Sequence, residues 1–331
     1  SSDVCSSDLR RQHHGDTKRM MNDLTRLYTH PDCELHEMPR HPERPDRLRS
    51  VMSRLTASGI ISETSVVLAD EVSDNILSKV HPETYIESIN KSEPDSAVIK
   101  VETDTYMSRG SLRASKLAAG ACAAATRDVL SGDARRVFCA VRPPGHHAEV
   151  AAAMGFCLFN NIALAAELAL KDESISRVAI VDFDVHHCNG TVDIFKDRPE
   201  VLVCSSFQEH FYPHRYLDFT NPHILNMSLE KDATGDQFRA RVETEWLPAL
   251  ENHKPDILFI SAGFDAHAED PLGELRFVES DYGWITSQLI SIAERFCQGR
   301  IVSTLEGGYN LDALARSVET HMGTLIRDPL A

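Results

Sequence analysis

Six short, continuous apolar runs constrain the fold of this chain more than any other feature of its 331-residue sequence. They are rich in β-branched residues and alternate with longer stretches of helical spacing, which indicates alternating strands and helices. The predicted strands are Val66–Ala69, Val137–Val141, Val178–Phe183, Val201–Ser205, Ile257–Ser261 and Ile301–Leu305. Continuous apolar runs are typical of strands buried on both faces. We therefore predict a three-layer α/β/α fold with a mainly parallel central sheet.

Helix signals fill the segments between the predicted strands. Ser111 can begin a helix that runs to about Leu130 and ends before Gly132, and Pro45 suits the first turn of a helix through Leu55. The remaining predicted helices are Leu158–Lys171, Gly235–Leu250, Ser280–Phe296 and Leu311–Ile326. Because no Pro-, Gly- and Ser-rich linker divides the body, we predict one domain over residues 21–331. Residues 1–20, rich in Ser and Asp at their start, are predicted to be disordered or foreign to it.

Composition and charge narrow the classes of function. The net charge of −16 argues against nucleic-acid binding, which needs clusters of Lys and Arg, and it favours a cationic partner. No apolar run reaches the roughly 18–20 residues that span a bilayer, so no membrane partner is predicted. The eight cysteines form no CxxC pair, and the first residues carry no apolar signal-peptide core. We therefore expect reduced thiols and a cytoplasmic location.

Polar clusters follow four of the predicted strands, and they read RPPGHHA, DFDVHHCNG, SAGFDAH and LEGGYN. Ligands of parallel α/β sheets bind at the carboxyl ends of the strands, so these clusters should share one rim. Asp184 and His186 are two residues apart on an extended segment and therefore point to the same side, where Asp182 also lies. Asp265 ends another strand and is a candidate third metal ligand.

The ligand types indicate a catalytic rather than a structural metal site. Two carboxylates and one imidazole leave a coordination position open for water, whereas closed structural zinc sites use four protein ligands. Oxygen and nitrogen ligands admit Zn²⁺ and also Fe²⁺, Co²⁺ or Mn²⁺. Each cluster alone is more often a helix cap or a packed histidine, and the convergence of all four favours a functional site.

In their order along the chain, these motifs resemble those of the zinc-dependent histone deacetylase superfamily, which includes acetylpolyamine amidohydrolases. Together with HPERPDRL, DTYMSRGS and GFCLFNN, the resemblance covers about residues 28–326. It is strongest to the class II branch and its bacterial relatives. The resemblance implies an arginase/deacetylase fold, a catalytic Zn²⁺ or Fe²⁺, and hydrolysis of an acyl-amide by a single catalytic domain.

The resemblance also implies roles for residues in these motifs. Asp184, His186 and Asp265 take the positions of the metal ligands, in agreement with their spacing. The catalytic positions fall on His146 and His147, on Asp182 and Asn189 as their respective partners, and on Tyr309, which would polarise the acyl carbonyl.

A tunnel for the acyl-lysine is implied as well. Gly155 and Phe156 would form one of its walls, and Phe211 or Tyr212 the other. Asp104, at the start of DTYMSRGS, matches a rim aspartate that holds the substrate backbone. Apolar walls of this kind fit the methylene stem of a lysine rather than a charged head group.

Structural K⁺ is implied at two further sites. The first would use Asp182, Asp184, His186, Ser205 and Ser206, and the second would lie around Phe195, Arg198 and Val201.

Substrate choice depends on the segment after Asp265. In the acetylpolyamine branch a glutamate in this segment attracts the distant ammonium of the substrate, and here Leu272 takes that position. This favours an acyl-lysine protein or peptide as the partner. Glu269 and Glu274 lie close enough in sequence to keep an acetylated polyamine as the alternative substrate.

Two features depart from the family pattern. The segment YPHRYLDFTNPHILNMSL lacks the usual Gly-rich stretch, and Cys188 stands where glycine is usual. A catalytically silent, metal-containing binding module is therefore a second alternative, although a scaffold would not need His146, His147 or Tyr309. Guanidino-ureohydrolases share the fold but need a two-metal cluster, which the tandem histidines disfavour.

The implied chemistry follows from the residue types. An amide is a poor electrophile, so the metal would polarise its carbonyl and acidify a water. His147 would act as the general base and then as the acid for the leaving amine. His146, paired with Asp182, would act electrostatically, and Tyr309 would stabilise the tetrahedral oxyanion.

Overall fold

The computed structural model describes residues 25–327, and ten strands lie within them. They are β1 Thr25–Thr29, β2 Ser65–Leu68, β3 Ile99–Lys100, β4 Tyr106–Met107, β5 Arg136–Cys139, β6 Val178–Asp182, β7 Val201–Gln208, β8 Ile224–Leu229, β9 Ile257–Ala262 and β10 Ile301–Leu305. Eight of these strands form one sheet in the order β2-β1-β5-β10-β9-β6-β7-β8, and all neighbours in it are parallel. The short β3 and β4 pair with each other in antiparallel fashion outside this sheet.

Ten α-helices connect the strands of the described region. They are α1 Asp46–Ala57, α2 Asp74–Leu77, α3 Glu83–Lys91, α4 Ser111–Ser131, α5 Asn161–Ala169, α6 Asn189–Phe195, α7 Gly235–Arg241, α8 Leu247–His253, α9 Glu279–Phe296 and α10 Leu311–Ile326. Helices α4 and α5 pack together on the sheet, whereas α10 packs against α1 and α9. Because β5, β6, β9 and β10 are buried throughout, these two groups cover the two faces of the sheet. The predicted three-layer α/β/α architecture is confirmed.

Local signals explain where the predicted helices begin and end. The helix expected from Leu158 begins at Asn161, because the Asn160 side chain caps it by accepting a hydrogen bond from the Ala163 amide at 3.0 Å. The helix predicted over Gly235–Leu250 is divided, since a π-helical turn at Val242–Trp246 separates α7 from α8.

Two strands of the main sheet escaped prediction. Polar residues interrupt both β1 and β8, and half of the positions in the edge strand β8 are only half-buried. The prediction that residues 1–20 are disordered or foreign concerns residues outside the described range. No helix between residues 25 and 327 combines the length and apolarity needed to cross a membrane. The single domain and the cytoplasmic location stay predictions.

Sheet order brings the four polar clusters together. The strands that precede them, β5, β10, β9 and β6, are consecutive in the sheet. Their parallel register aligns Asp182 with Ser261 and Leu305 with Ala262. The residues after these strands therefore emerge side by side at one rim.

Candidate active site

Two buried carboxylates, Asp184 and Asp265, and the partly buried ring of His186 form a cluster at this rim. Each residue offers one ligand atom within 4.8 Å of the others. His186 Nδ1 lies 3.0 Å from Asp184 Oδ1 and 3.2 Å from Asp265 Oδ2. The outer oxygens of the carboxylates are held by backbone amides, since Gly307 donates to Asp184 Oδ2 and Val185 donates to Asp265 Oδ1, both at 2.9 Å. The other carboxylate oxygens, Asp184 Oδ1 and Asp265 Oδ2, thus lie next to the imidazole nitrogen.

The chemistry of this donor set fits a divalent cation. Burial and the nearby charge of Asp184 raise the pKa of Asp265 to about 7. Oδ2 of Asp265 is buried and accepts no hydrogen bond within the part of the chain that the structure describes. A Cβ at Gly307 would lie 2.0 Å from this oxygen, so glycine keeps the space beside it open. Two buried carboxylates this close together are costly unless a cation compensates them.

The tandem histidines lie beside the cluster and have opposite electrostatic environments. His146 Nδ1 lies 2.9 Å from Asp182 Oδ2, and although burial alone would lower its pKa, Asp182 and Asp184 raise the pKa of His146 to about 10. His147 Nδ1 lies 2.7 Å from Asn189 Oδ1, and burial together with the charge of His146 lowers the pKa of His147 well below its usual value. His146 is therefore the cationic ring of the pair, and His147 is the neutral one.

Glu306 fixes the backbone of the tandem histidines. Its Oε2 accepts hydrogen bonds from the amides of Gly145 at 2.7 Å and His146 at 3.1 Å. Burial raises the pKa of Glu306 to about 7. The second residue of the LEGGYN motif therefore supports the motif that follows β5.

Asp270 and Arg47 hold the loop that carries Tyr309. Asp270 Oδ2 accepts hydrogen bonds from the amides of Tyr309 at 2.6 Å and Asn310 at 3.0 Å. Arg47 Nε donates to the Gly308 carbonyl at 2.6 Å, and its guanidinium carbon lies 4.8 Å from the centre of the Tyr309 ring. The hydrogen bonds therefore hold the backbone around Tyr309, and the Arg47 guanidinium packs against its ring.

Arg47 belongs to a fully buried ion network. Glu43 Oε1 accepts hydrogen bonds from Arg47 at 3.1 Å and from Arg142 at 2.7 Å. Burial by itself raises the pKa of Glu43, but Arg142, His36 and Arg47 lower the pKa to about 2. The carboxylate is therefore ionised, and it joins the start of the HPERPDRL helix to the RPPGHHA segment.

A cavity of about 370 Å³ opens onto these groups. It is lined by Asp104, His147, Gly155, Phe156, His186, Phe211, Tyr212, Pro271, Leu272 and Tyr309. The six residues predicted to bind substrate all lie in this lining. Both alternatives for the second wall are present, because Phe211 stacks on His186 at 5.5 Å between ring centres and Tyr212 packs edge-on to His147 at 5.2 Å.

The first wall depends on an unusual backbone at Gly155 and Phe156, whose φ angles are 56° and 69°. A Cβ at Gly155 would lie 2.2 Å from the ring of His147, so only glycine lets the wall approach that ring. Asp104 Oδ1 accepts a hydrogen bond from the Gly155 amide at 3.0 Å, and Thr105 Oγ1 accepts one from the Phe156 amide at 3.2 Å. Asp104 therefore supports the wall of the cavity as well as lining it.

The loop between β7 and β8 lacks the family's Gly-rich stretch and still adopts backbone conformations that glycine favours. His210, His214 and Tyr216 have φ angles of 55°, 57° and 58°. The side-chain amide of Asn226 donates to the Tyr216 carbonyl at 2.8 Å, and its oxygen lies 2.9 Å from His187 Nε2. Asn226 thus connects this loop to the segment that carries the candidate metal ligands Asp184 and His186.

The residues predicted to bind K⁺ form two groups in space. Asp182 pairs in register with Ser205 across β6 and β7, and Asp182 Oδ1 accepts a hydrogen bond from the Asp184 amide at 3.0 Å. In the turn between α6 and β7, the Phe195 carbonyl accepts from the Arg198 amide and the Arg198 carbonyl accepts from the Val201 amide, both at 2.9 Å. The two K⁺ sites stay predictions.

Comparison with known proteins decides the family. The family model of the histone deacetylase domain matches residues 41–325. The chain belongs to the histone deacetylase family. Its fold is similar to that of the HDA15 HD domain crystal structure, with a TM-score of 0.87 and 33% sequence identity, over 92% of this chain and 88% of that one. The expected arginase/deacetylase fold is thereby confirmed.

Among histone deacetylase relatives, the chain is 35% identical to the histone deacetylase-like amidohydrolase of Pseudomonas aeruginosa, over 82% of this chain and 73% of that protein. It is 34% identical to histone deacetylase 5 of Arabidopsis thaliana, over 91% of this chain and 49% of that protein. It is 33% identical to type-2 histone deacetylase 2 of Dictyostelium discoideum, over 90% of this chain and 20% of that protein. The chain thus spans about half of the length of the Arabidopsis relative and about a fifth of the length of the Dictyostelium relative.

Sequence reasoning missed the supports of this histone deacetylase-family site. They are Glu43, Arg47, Arg142, Glu149, Asp270 and Glu306. Five of them lie inside segments already singled out, and the sixth, Glu149, directly follows RPPGHHA. The available signal was the presence of ionisable residues next to strands and helices that must be buried, because a buried charge requires a partner.

Proposed function

We propose that the chain is a metal-dependent amide hydrolase that removes acetyl or other acyl groups from the ε-amine of lysine in proteins or peptides. One observation carries this proposal. His147 and Tyr309 line the same cavity as His186 of the candidate metal cluster, and Phe156, Phe211 and Tyr212 wall that cavity. A general base and a hydroxyl donor therefore face the place where an acyl group can reach the cluster.

Asp184, His186 and Asp265 would hold the metal ion, Zn²⁺ by resemblance to the family and Fe²⁺ as the alternative. When bound, such an ion polarises an amide carbonyl and lowers the pKa of water. Two structural K⁺ ions would use the sites inferred from the sequence. The donor set supports a divalent cation, since it combines two buried carboxylates with one imidazole nitrogen.

The protein's own groups would divide the acid–base work. His147 Nδ1 is engaged by Asn189, so its Nε2 would take a proton from the attacking water and later give it to the leaving amine. His146, held cationic by Asp182, would stabilise negative charge. Tyr309 would donate its hydroxyl proton to the oxyanion of the tetrahedral intermediate.

The surroundings of the cavity favour acyl-lysine over acetylated polyamine. Leu272 and Pro271 line it, and no carboxylate of the described DAHAEDPLGE segment does. Glu269 pairs with Arg316 at 2.9 Å, and Glu274 pairs with Lys231 at 2.6 Å. Against Pro271 and Leu272, an ammonium group of a polyamine would lose hydration without gaining a partner from this segment, and the carboxylate in the described lining is that of Asp104.

A substrate panel tests this choice. We expect kcat/KM for an acetyl-lysine peptide to exceed that for an acetylated polyamine by at least about tenfold, equivalent to about 1.4 kcal/mol. Leu272→Glu should raise kcat/KM for the polyamine, because it supplies the missing carboxylate. Equal or higher kcat/KM for the polyamine with the unmodified chain would contradict the lysine assignment and favour the polyamine alternative.

Tyr309→Phe tests the oxyanion donor. The substitution keeps the ring that packs against Arg47 and deletes only the hydroxyl. Loss of one such donor typically costs about 10²–10³-fold in kcat. We expect that fall with unchanged metal content and an unchanged unfolding temperature. The assay should use a plain acetyl group, because an activated acyl group needs less polarisation, and an unchanged kcat would mean that Tyr309 only packs at the rim.

A further inference from the structure

The side-chain amide of Asn189 has only acceptors around its nitrogen. Nδ2 lies 2.8 Å from Glu149 Oε1, 3.3 Å from the His147 carbonyl oxygen and 3.3 Å from Met154 Sδ. A carboxylate, a carbonyl and a thioether all accept hydrogen bonds, so the NH₂ group must face them. The amide oxygen is then directed at His147 Nδ1, 2.7 Å away.

This orientation decides which nitrogen of His147 carries the proton. The amide oxygen can only accept, so Nδ1 must be protonated and Nε2 keeps its lone pair for catalysis. If the Asn189 amide were flipped, its oxygen would face the Glu149 carboxylate and its NH₂ group would face Nδ1. His147 would then carry its proton on Nε2, where it could not accept one from water.

Glu149 is the strongest of the three acceptors. It is 5% exposed and offers an anionic oxygen, and hydrogen bonds to charged groups are stronger than those between neutral groups. Its carboxylate also pairs with Arg215 at 3.0 Å. Arg215 belongs to the loop that provides Tyr212 to the cavity wall.

A second contact joins that loop to the segment of Glu149. Asp193 accepts hydrogen bonds from the Tyr216 hydroxyl at 2.6 Å and from the Val150 amide at 3.1 Å. The loop and the segment are therefore connected twice, through the Arg215–Glu149 pair and through Asp193. The position of the Glu149 carboxylate is set by the same framework that places the tunnel wall.

We propose that Glu149 is a positioning residue for catalysis, which fixes the orientation of the Asn189 amide and thereby the catalytic tautomer of His147. Arg215 holds the carboxylate in place from the wall loop. This inference rests on the proposed function, since it assigns the role of general base to His147. It adds a residue that does not touch the substrate and acts through Asn189.

Kinetics provide the first test, on zinc-loaded protein and an acetyl-lysine peptide. The free energy of one hydrogen bond to a charged group corresponds to a factor of about 10–150 in a rate constant. We expect Glu149→Ala to lower kcat by a factor in that range. KM should change little, because the substrate is not touched. Glu149→Gln should restore part of kcat, since its amide oxygen can still accept from Asn189.

Glu167→Ala is the matched control. Glu167 is 6% exposed and pairs with Arg198 at 3.3 Å and with Lys171 at 2.9 Å, away from the cavity. The Glu167→Ala variant should lose about as much unfolding free energy as the Glu149→Ala variant, but its kcat should stay unchanged. Equal kcat losses in the two variants would overturn the proposal, because they would reflect the loss of a buried ion pair alone.

A double-mutant cycle separates positioning from packing. If Glu149 acts through Asn189, adding Glu149→Ala to Asn189→Ala should lower kcat by less than about twofold. If the two losses multiply, Glu149 acts independently of Asn189 and the proposal fails. Should Glu149→Ala not fold, Glu149→Gln takes its place in the cycle.

The tautomer can be observed directly by NMR of zinc-loaded protein with ¹⁵N-labelled histidine. The His147 signal is assigned as the one absent from His147→Ala. We expect protonated Nδ1 in the unmodified chain and a shift toward protonated Nε2 in Glu149→Ala. Protonated Nε2 in the unmodified chain would overturn the proposal. If that chain hydrolyses no acyl substrate, the proposed function has failed, and the spectrum still decides the positioning role of Glu149.

Discussion

His147→Ala is expected to lower kcat by about 10²–10⁴-fold while the protein keeps its metal, because a positioned acid–base group typically contributes that factor. The neutral ring of His147 lines the cavity, and the ligand atoms of the cluster belong to other residues. Turnover of an acetyl-lysine peptide and metal content per chain should be measured on the same preparation.

His253→Ala is a useful control for this variant. His253 is half-buried at the end of α8, and its Nε2 lies 3.0 Å from the carbonyl of Val178, at the start of β6 and the opposite end of the sheet from the site. It should leave kcat unchanged. A metal-loaded His147→Ala protein with near-normal kcat would show that another group serves as the base.

Asp184→Ala is expected to abolish metal binding and turnover together. Asp184 supplies one of the two carboxylates of the cluster, and its oxygens also accept from the backbone amides of His186 and Gly307, each at 2.9 Å. Metal per chain after dialysis is the first measurement. The second is the unfolding temperature with and without added Zn²⁺, because a ligand that binds only the folded state stabilises it.

Addition of Zn²⁺ should raise the unfolding temperature of the unmodified chain, and it should leave that of the Asp184→Ala chain unchanged. This comparison does not depend on activity, so it tests the metal site even in a variant without turnover. A variant that binds zinc as the unmodified chain does would remove Asp184 from the ligand set.

The sequence predicted the sheet well where burial leaves a simple pattern. Strands buried on both faces, such as β6 and β9, read as continuous apolar runs, whereas the edge strand β8 contains Asn226 and Ser228 and gave no such run. The π-helical turn within the predicted helix Gly235–Leu250 has no comparable signal, because its residues keep helical spacing. Local pattern therefore predicts central elements better than edges and irregular turns.

The candidate site could be predicted because its residues follow strands that are neighbours in the sheet. The supporting ion network could not, since Glu43, Arg142 and Arg47 meet only through tertiary packing. Glu149 is a similar case. Glu149 and Asn189 are forty residues apart in the sequence, yet Glu149 Oε1 lies 2.8 Å from Asn189 Nδ2. Nothing in the local sequence indicates this contact.

Release of acetate tests the central claim most directly. Zinc-loaded protein should convert an acetyl-lysine peptide to one acetate and one free ε-amine per peptide, as followed by NMR and mass spectrometry. The same preparation of His147→Ala should release acetate at least about 10²-fold more slowly. If the unmodified, zinc-loaded chain binds the peptide but releases no acetate, the domain is a binding module and the proposed hydrolase activity is wrong.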